Sequence, residues 1–159
     1  MSKIPSTNAT RLLRQRGVPY SEHPYRYEER GGTAVSAREL GVVEHAVIKT
    51  LVFEDDLKRP LIVLMHGDRQ VSTKELARQI QARSVQPCKP EVADRHSGYQ
   101  VGGTSPFGTR KPLPVYVEAT IFALPRIWIN GGAKGFLIGL DPAVLVELLS
   151  AKSVNVAIE

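Results

Sequence analysis

Ala46-Val47-Ile48-Lys49-Thr50-Leu51-Val52-Phe53 sets a lysine in the middle of a run that otherwise reads as a core β-strand. Side chains alternate along a strand, which places Lys49 with Val47, Leu51 and Phe53 on one face and Ile48, Thr50 and Val52 on the other. Taking an ammonium out of water is costly unless it is paired or still partly solvated. Two readings follow from the strand alone. In one, Lys49 lines a cleft where its charge is put to use. In the other, it sits at a strand edge with its stem packed and its head in water.

Working outward, Glu54-Asp55-Asp56-Leu57-Lys58-Arg59-Pro60 is a turn into a second apolar run, Leu61 to His66, so the two strands form an antiparallel hairpin. Upstream, Ser6-Thr7-Asn8 caps a helix that ends at Gly17 and carries Arg11, Arg14 and Arg16 on its polar side. A short strand over Tyr20–Pro24, a polar loop over Arg26–Gly32 and a helix around Val35–Leu40 follow. Downstream, Ser72 and Glu75 have capping-box spacing for a helix starting near Thr73, and Pro90 opens a short helix ending before Gly98. Strands are expected at 115–117, 126–129 and 136–138, with Asp141 as N-cap of a last helix through about Leu149. Strands and helices intermingle irregularly. This predicts an α/β domain of the α+β type: a mixed, mostly antiparallel, barrel-like sheet surrounded by helices, and argues against a doubly wound nucleotide fold.

With 159 residues, 42% of them hydrophobic, the chain suffices for one domain over 1–159, and no linker or repeat divides it. The excess of 21 Lys and Arg over 16 Asp and Glu gives +5, which leans towards a polyanionic partner. Cys88 stands alone, so an internal disulfide is excluded. Met1-Ser2-Lys3-Ile4-Pro5 lacks the apolar run of a signal peptide, and no apolar stretch approaches the roughly 20 residues that cross a bilayer. The cytoplasm is therefore expected, with no membrane association.

Gly98-Tyr99-Gln100-Val101-Gly102-Gly103-Thr104-Ser105-Pro106-Phe107-Gly108 is the second informative segment. Adjacent glycines let backbone N–H groups approach a ligand, and Pro106 stiffens the far side. No Gly-Lys-Ser/Thr is present, so it is a poor phosphate loop. An ordinary turn is the plainer reading.

Taken together, Lys49-Thr50-Leu51, the Gly98–Gly108 run and Ile129-Asn130-Gly131-Gly132-Ala133-Lys134-Gly135 resemble the YbaK family of bacterial Cys-tRNA(Pro) deacylases, relatives of the editing domain of prolyl-tRNA synthetases. The resemblance spans nearly the whole chain. It implies a trans-editing enzyme that cleaves the ester between a wrongly attached amino acid and the terminal adenosine of tRNA, in a mixed α/β domain with a barrel-like sheet. Lys49 takes the place of the essential lysine. Tyr25, Thr50, Gly102, Gly103, Asn130 and Gly131 are the implied substrate-binding residues, with the Gly102 and Gly103 backbone holding the ribose and ester carbonyl. Three positions depart from the family pattern: Asn130 replaces a serine, Leu137 stands where an acidic residue is common, and Arg30-Gly31-Gly32-Thr33 lacks an aromatic residue. All three bear on the shape of the pocket.

Ester hydrolysis needs a nucleophile, oxyanion stabilisation and a proton for the leaving oxygen. The chain has no Gly-x-Ser-x-Gly, and Cys88, between Pro87 and Lys89 with no histidine beside it, reads as structural. In the family, the substrate cysteine's own thiol is thought to attack its carbonyl, expelling the tRNA as a thiolactone forms. His23, His45, His66 and His96 show no close metal spacing, so neither a metal nor a cofactor is expected. Arg110-Lys111 and Lys134 join the helix arginines as candidate contacts to the tRNA acceptor end, and prolyl-tRNA synthetase is the expected protein partner. The alternatives are a deacylase of Ala-tRNA(Pro) or another small misacylated tRNA, and a non-catalytic module binding tRNA ends or a nucleotide.

Overall fold

A computed structural model describes residues 4–159; residues 1–3, at the start of the segment read above for its lack of an apolar run, lie outside the described residues. The chain opens with α1 (Asn8–Gln15), β1 (Ser21–Pro24) and α2 (Gly32–Leu40), then the hairpin of β2 (Val47–Asp55) and β3 (Pro60–His66). Next come β4 (Gln70–Val71), α3 (Thr73–Ile80), β5 (Val85–Pro87) and α4 (Pro90–Ser97). A long loop leads to β6 (Val115–Glu118), β7 (Ile127–Ala133), β8 (Phe136–Leu140), α5 (Ala143–Leu149), β9 (Lys152–Val154) and β10 (Ala157–Ile158).

The main sheet runs β1-β8-β7-β2-β3-β6-β9, with β5 added to β2, while β10 and β4 form a separate ribbon. Ladders β1–β8, β7–β8, β2–β3 and β2–β5 are antiparallel, whereas β2–β7, β3–β6 and β6–β9 are parallel. The expected hairpin is present, with Lys49 opposite Met65 and Leu51 opposite Val63. No ladder joins β1 to β9 among the described residues, so the sheet keeps two edges.

Alternation sorts the side chains as the sequence predicts. Ile48 and Val52 of β2 enter the main core with Ile62, Leu64, Ile129 and Ile138, closed by Leu13 of α1, Ala93 of α4 and Leu145 of α5. Phe53 packs on the opposite face with Val63, Met65 and Leu76 of α3, and Val47 packs there with Ala37 of α2 and Leu137. Strands covered on both faces read as continuous apolar runs, which is why β2 and β3 show so little polar interruption. Each fully buried side chain of this kind contributes about 1.5–3 kcal/mol.

The helix ends are specified locally. Thr7 and Thr10 form a reciprocal capping box at α1. Ser72 Oγ accepts from Glu75 N at 3.2 Å, but Glu75 turns away to Arg78, so only half of the expected box forms at α3. α5 begins one residue later than an Asp141 N-cap would place it, because Pro142 is the cap position; Asp141 Oδ1 still accepts from Ala143 N at 2.9 Å.

One feature of the sheet positions the site. On a single edge, β2 pairs with β7 at Val47 and Ile48 and with β5 from Phe53 to Asp55. Residues 49–52 between them have no strand beside them on that edge among the described residues. Cys88 N donates to Val52 O at 3.0 Å, so even-numbered residues of β2 direct their peptide groups to this side and Thr50 presents its own to the slot.

Candidate active site

A cavity of about 490 Å³ opens through this slot, lined from both faces of the sheet by Lys49 and Thr50 of β2, Tyr25 and Tyr27 after β1, Gly102 and Thr104 of the glycine segment, and Asn130 and Leu137 of the β7–β8 pair. Its size falls in the range of small-ligand sites. The strand-edge and cleft readings of Lys49 merge here: the lysine is at an unpaired stretch of edge, and that stretch is the cleft.

Lys49 is half-buried. Burial pushes its ammonium below lysine's ordinary range, and the charges of Glu44 and Asp68 oppose the shift without reversing it. Both carboxylates are already held elsewhere. Thr33 Oγ1 donates to Glu44 Oε2 at 2.7 Å, and His45 Nδ1 lies 2.8 Å from Asp68 Oδ1. Among the described residues no carboxylate reaches Lys49 within 4.0 Å. The cation is thus steadied at a distance and left for an incoming group.

The glycine segment is pinned, not loose. Tyr99 Oη donates to Phe107 O at 2.6 Å, Phe107 itself is fully buried in the main core, and Asp94 Oδ1 accepts from Val101 N at 2.9 Å. Gly102 has φ +96 and lies against Tyr27, where an added Cβ would come 2.6 Å from the phenolic oxygen. Gly103 plays another part. Its N–H donates to Gln100 O at 2.7 Å, and a Cβ there would sit 2.8 Å from the Ala133–Lys134 backbone. The Gly103 amide closes a turn, which leaves Gly102 as the glycine of the pair that faces the cavity. Gly131 is likewise outside the lining; a Cβ on it would meet the Phe136 ring at 2.5 Å, so its absence makes room for that ring.

Asn130 lines the cavity and spends all four of its hydrogen bonds on the scaffold. Nδ2 donates to Gly102 O and Ala133 O, both at 3.2 Å, while Oδ1 accepts from Gly132 N at 2.6 Å and Ala133 N at 3.2 Å. It fastens the glycine loop to the irregular end of β7. Asn130→Ala is expected to cost about 1–3 kcal/mol in urea unfolding; a loss below the error of that measurement would show that the loop does not depend on this clasp.

Thr50 Oγ1 is buried with no partner among the described residues, and Thr50 belongs to the cavity lining. Tyr25 is half-buried, and burial followed by the neighbouring Tyr27 raises its phenol above the ordinary range, so it is a neutral donor. Tyr27 escaped the sequence reading although its spacing from Tyr25 is visible; it carries the Lys134 ammonium 5.4 Å above its ring, and Lys134 also reaches Glu29 at 3.4 Å. Arg11 and Arg14 line a shallow groove on α1, and Asn8 of that helix abuts Gly108 of the loop. His66 is a structural residue at the end of β3, bonded to His45 O and Thr120 Oγ1 at 2.7 Å each.

Cys88 packs against the main core, in keeping with its reading as a structural residue. It lacks a histidine neighbour in sequence, but folding brings it into the cavity wall within 4.8 Å of donor atoms of His96 and Glu54. Burial, then Glu54, pushes its thiol up to about 11 against Arg95, so it is no activated nucleophile.

A family model described as the aminoacyl-tRNA editing domain matches residues 28–148, which include the slot, Lys49, the glycine segment and β7–β8. The chain belongs to the aminoacyl-tRNA editing domain family. Among its relatives is EbsC of Enterococcus faecalis, named as a proposed Cys-tRNA(Pro)/Cys-tRNA(Cys) deacylase, 29% identical over 92% of this chain and 90% of that one. A proline–tRNA ligase of Levilactobacillus brevis is 27% identical over 79 residues, half of this chain and 14% of the ligase. A solved structure described as a candidate trans-editing enzyme for prolyl tRNA synthetase shares the fold, with TM-score 0.82 at 23% identity over 98% of this chain and 99% of the other. The editing-domain fold is therefore the scaffold around the slot, and no helix among the described residues is long and apolar enough to cross a membrane.

Proposed function

We propose that this editing domain acts in trans as a deacylase of Cys-tRNA(Pro). The observation that carries the reading is the placement of the Lys49 ammonium, without an ion-pair partner among the described residues, in the same cavity as Gly102 and the peptide groups of Thr50. An aminoacyl ester entering the slot meets a cation, an open strand edge and hydroxyl donors, which suits a carbonyl oxygen gaining negative charge. Tyr25, Tyr27 and Thr50 bind the terminal nucleotide and aminoacyl group in this proposal, and Asn130 acts through the loop it holds.

Cys88 is not activated, and the cavity lining offers no other strong nucleophile, which leaves water or the substrate's own thiol; in this proposal the thiol attacks. The cysteinyl sulfur bonds to its own carbonyl carbon, the carbon–oxygen bond to the ribose breaks, and the thiol proton passes to the departing ribose oxygen. A thiolactone leaves and is opened by water. Holding thiol and ester together exploits the advantage of an intramolecular reaction. Such a small domain has little surface for the body of a tRNA, so prolyl-tRNA synthetase is the proposed partner supplying tRNA identity, with Arg11, Arg14 and Lys134 towards the acceptor end.

Incubating the purified protein with Cys-tRNA(Pro), Ala-tRNA(Pro) and Pro-tRNA(Pro) tests this. Cysteinyl release well above the spontaneous rate is expected, with prolyl-tRNA spared and S-methylcysteinyl-tRNA resistant. Equal cleavage of the alanyl ester would replace thiol attack by water, and no release from any of them would leave only a binding module.

A further inference from the structure

Three donors that are remote in sequence meet at the end of the cavity away from Lys49. Glu54 lies near the end of β2, Cys88 follows β5 directly, and His96 is in the last turn of α4. A carboxylate oxygen, the thiol sulfur and an imidazole nitrogen all lie within 4.8 Å of one another. Tetrahedral zinc with nitrogen at about 2.0 Å and sulfur at about 2.3 Å sets its ligand atoms roughly 3.3–3.8 Å apart, so a small side-chain rotation closes the set. His96 is only 7% exposed, and its Nε2 is 2.9 Å from Glu54 Oε2. The ring's other nitrogen, Nδ1, is buried with no partner among the described residues.

The backbone holds these groups in place. Phe53 pairs with Pro87 and Glu54 with Gln86 across the β2–β5 ladder, and the Cys88 amide is bonded to Val52 O. Glu54 is about 17 Å along the strand from Lys49 at the usual rise per residue, so the cluster sits at the far end of the cavity that holds the proposed deacylation site, with Cys88 in the shared wall.

We propose that Glu54, Cys88 and His96 bind a divalent transition-metal ion of the zinc type in the cavity wall. Thiolate with imidazole selects such ions over magnesium or calcium, and three protein donors leave a fourth position on the side where Cys88 meets the cavity. The spacing of the histidines gives no hint of it, because each donor comes from a different element.

The proposal is independent of the tRNA reading, and its test reads metal directly. Chelator-stripped protein is titrated with cobalt(II), and one equivalent per chain is expected together with a thiolate-to-cobalt charge-transfer band. Cys88 is the only cysteine in the chain, so that band has a single source. Cys88→Ser is expected to abolish the band and weaken zinc binding by more than about a hundredfold in competition with a chromogenic chelator, and Glu54→Gln by about tenfold or more. Circular dichroism checks the fold of each variant, and Glu54→Gln decides the matter should Cys88→Ser not fold. Absence of the band from the folded wild-type protein overturns the proposal, as does zinc affinity unchanged in both variants, or half an equivalent of metal bridging two chains.

Discussion

Lys49→Met is expected to lower deacylation about a hundredfold to a thousandfold, the usual effect of removing one group that stabilises an oxyanion. The same variant is expected to melt at or above the wild-type temperature at neutral pH. Both effects have one cause. The ammonium is half-buried without an ion-pair partner among the described residues, so it disfavours the folded chain in order to be available to a substrate. The sign with pH follows: the folded protein holds the Lys49 proton less tightly than the unfolded chain, so this penalty is fully present below the folded pKa. It is relieved as pH rises from that value towards the ordinary 10.5. Activity that needs the charged form falls through the same window, below the pH at which an exposed lysine would titrate. Single-turnover rates from about pH 6 upwards, corrected for spontaneous ester hydrolysis, measure this; wild-type rates in Lys49→Met would remove the lysine from the reaction.

Phe107→Ala is expected to cost about 3–5 kcal/mol of unfolding free energy, among the largest effects of any single truncation in this chain. Phe107 is fully buried although it sits in a loop, and its carbonyl accepts the buried Tyr99 hydroxyl. Truncation therefore opens a void in the main core and releases the segment that presents Gly102. Phe107→Leu, which keeps more of the volume, is expected to lose much less. Urea midpoints with a constant m-value read both; a loss under about 1 kcal/mol for the alanine variant would mean that the loop is held by its polar contacts alone.

Local signals carry most of the fold. The β2–β3 hairpin, the Thr7 cap, the helix after Pro90 and the two-sided burial of the lysine strand are all legible because alternation, caps and turn residues act within a few positions. What stays hidden depends on distant pairing. β5 is three residues long, and β4, β9 and β10 are two or three, too short for any periodicity to show. The parallel ladders of β2 with β7 and β3 with β6 link segments more than 50 residues apart, so nothing in either run announces its neighbour. The candidate site divides in the same way. Lys49 stands out as a charge in an apolar run, and Gly102 and Asn130 through their motifs. The distinct jobs of Gly103, Gly131 and Asn130 become visible only through what their backbones and side chains touch. The neighbours of Cys88, Glu54 and His96, are not visible in the sequence because contact across the β2–β5 ladder is not adjacency along the chain.

The interruption on one edge of β2 also has a mechanical consequence. Four peptide units, 49–52, are all that bridge the two portions of the sheet there, with β3 bracing them from the opposite side. The gap's breadth is then governed by torsion along that bridge, since strand twist is a soft, continuous variable. Admitting an acyl group of greater girth requires over-winding the backbone itself, so a size filter of this kind would persist through exchanges of the residues around its rim.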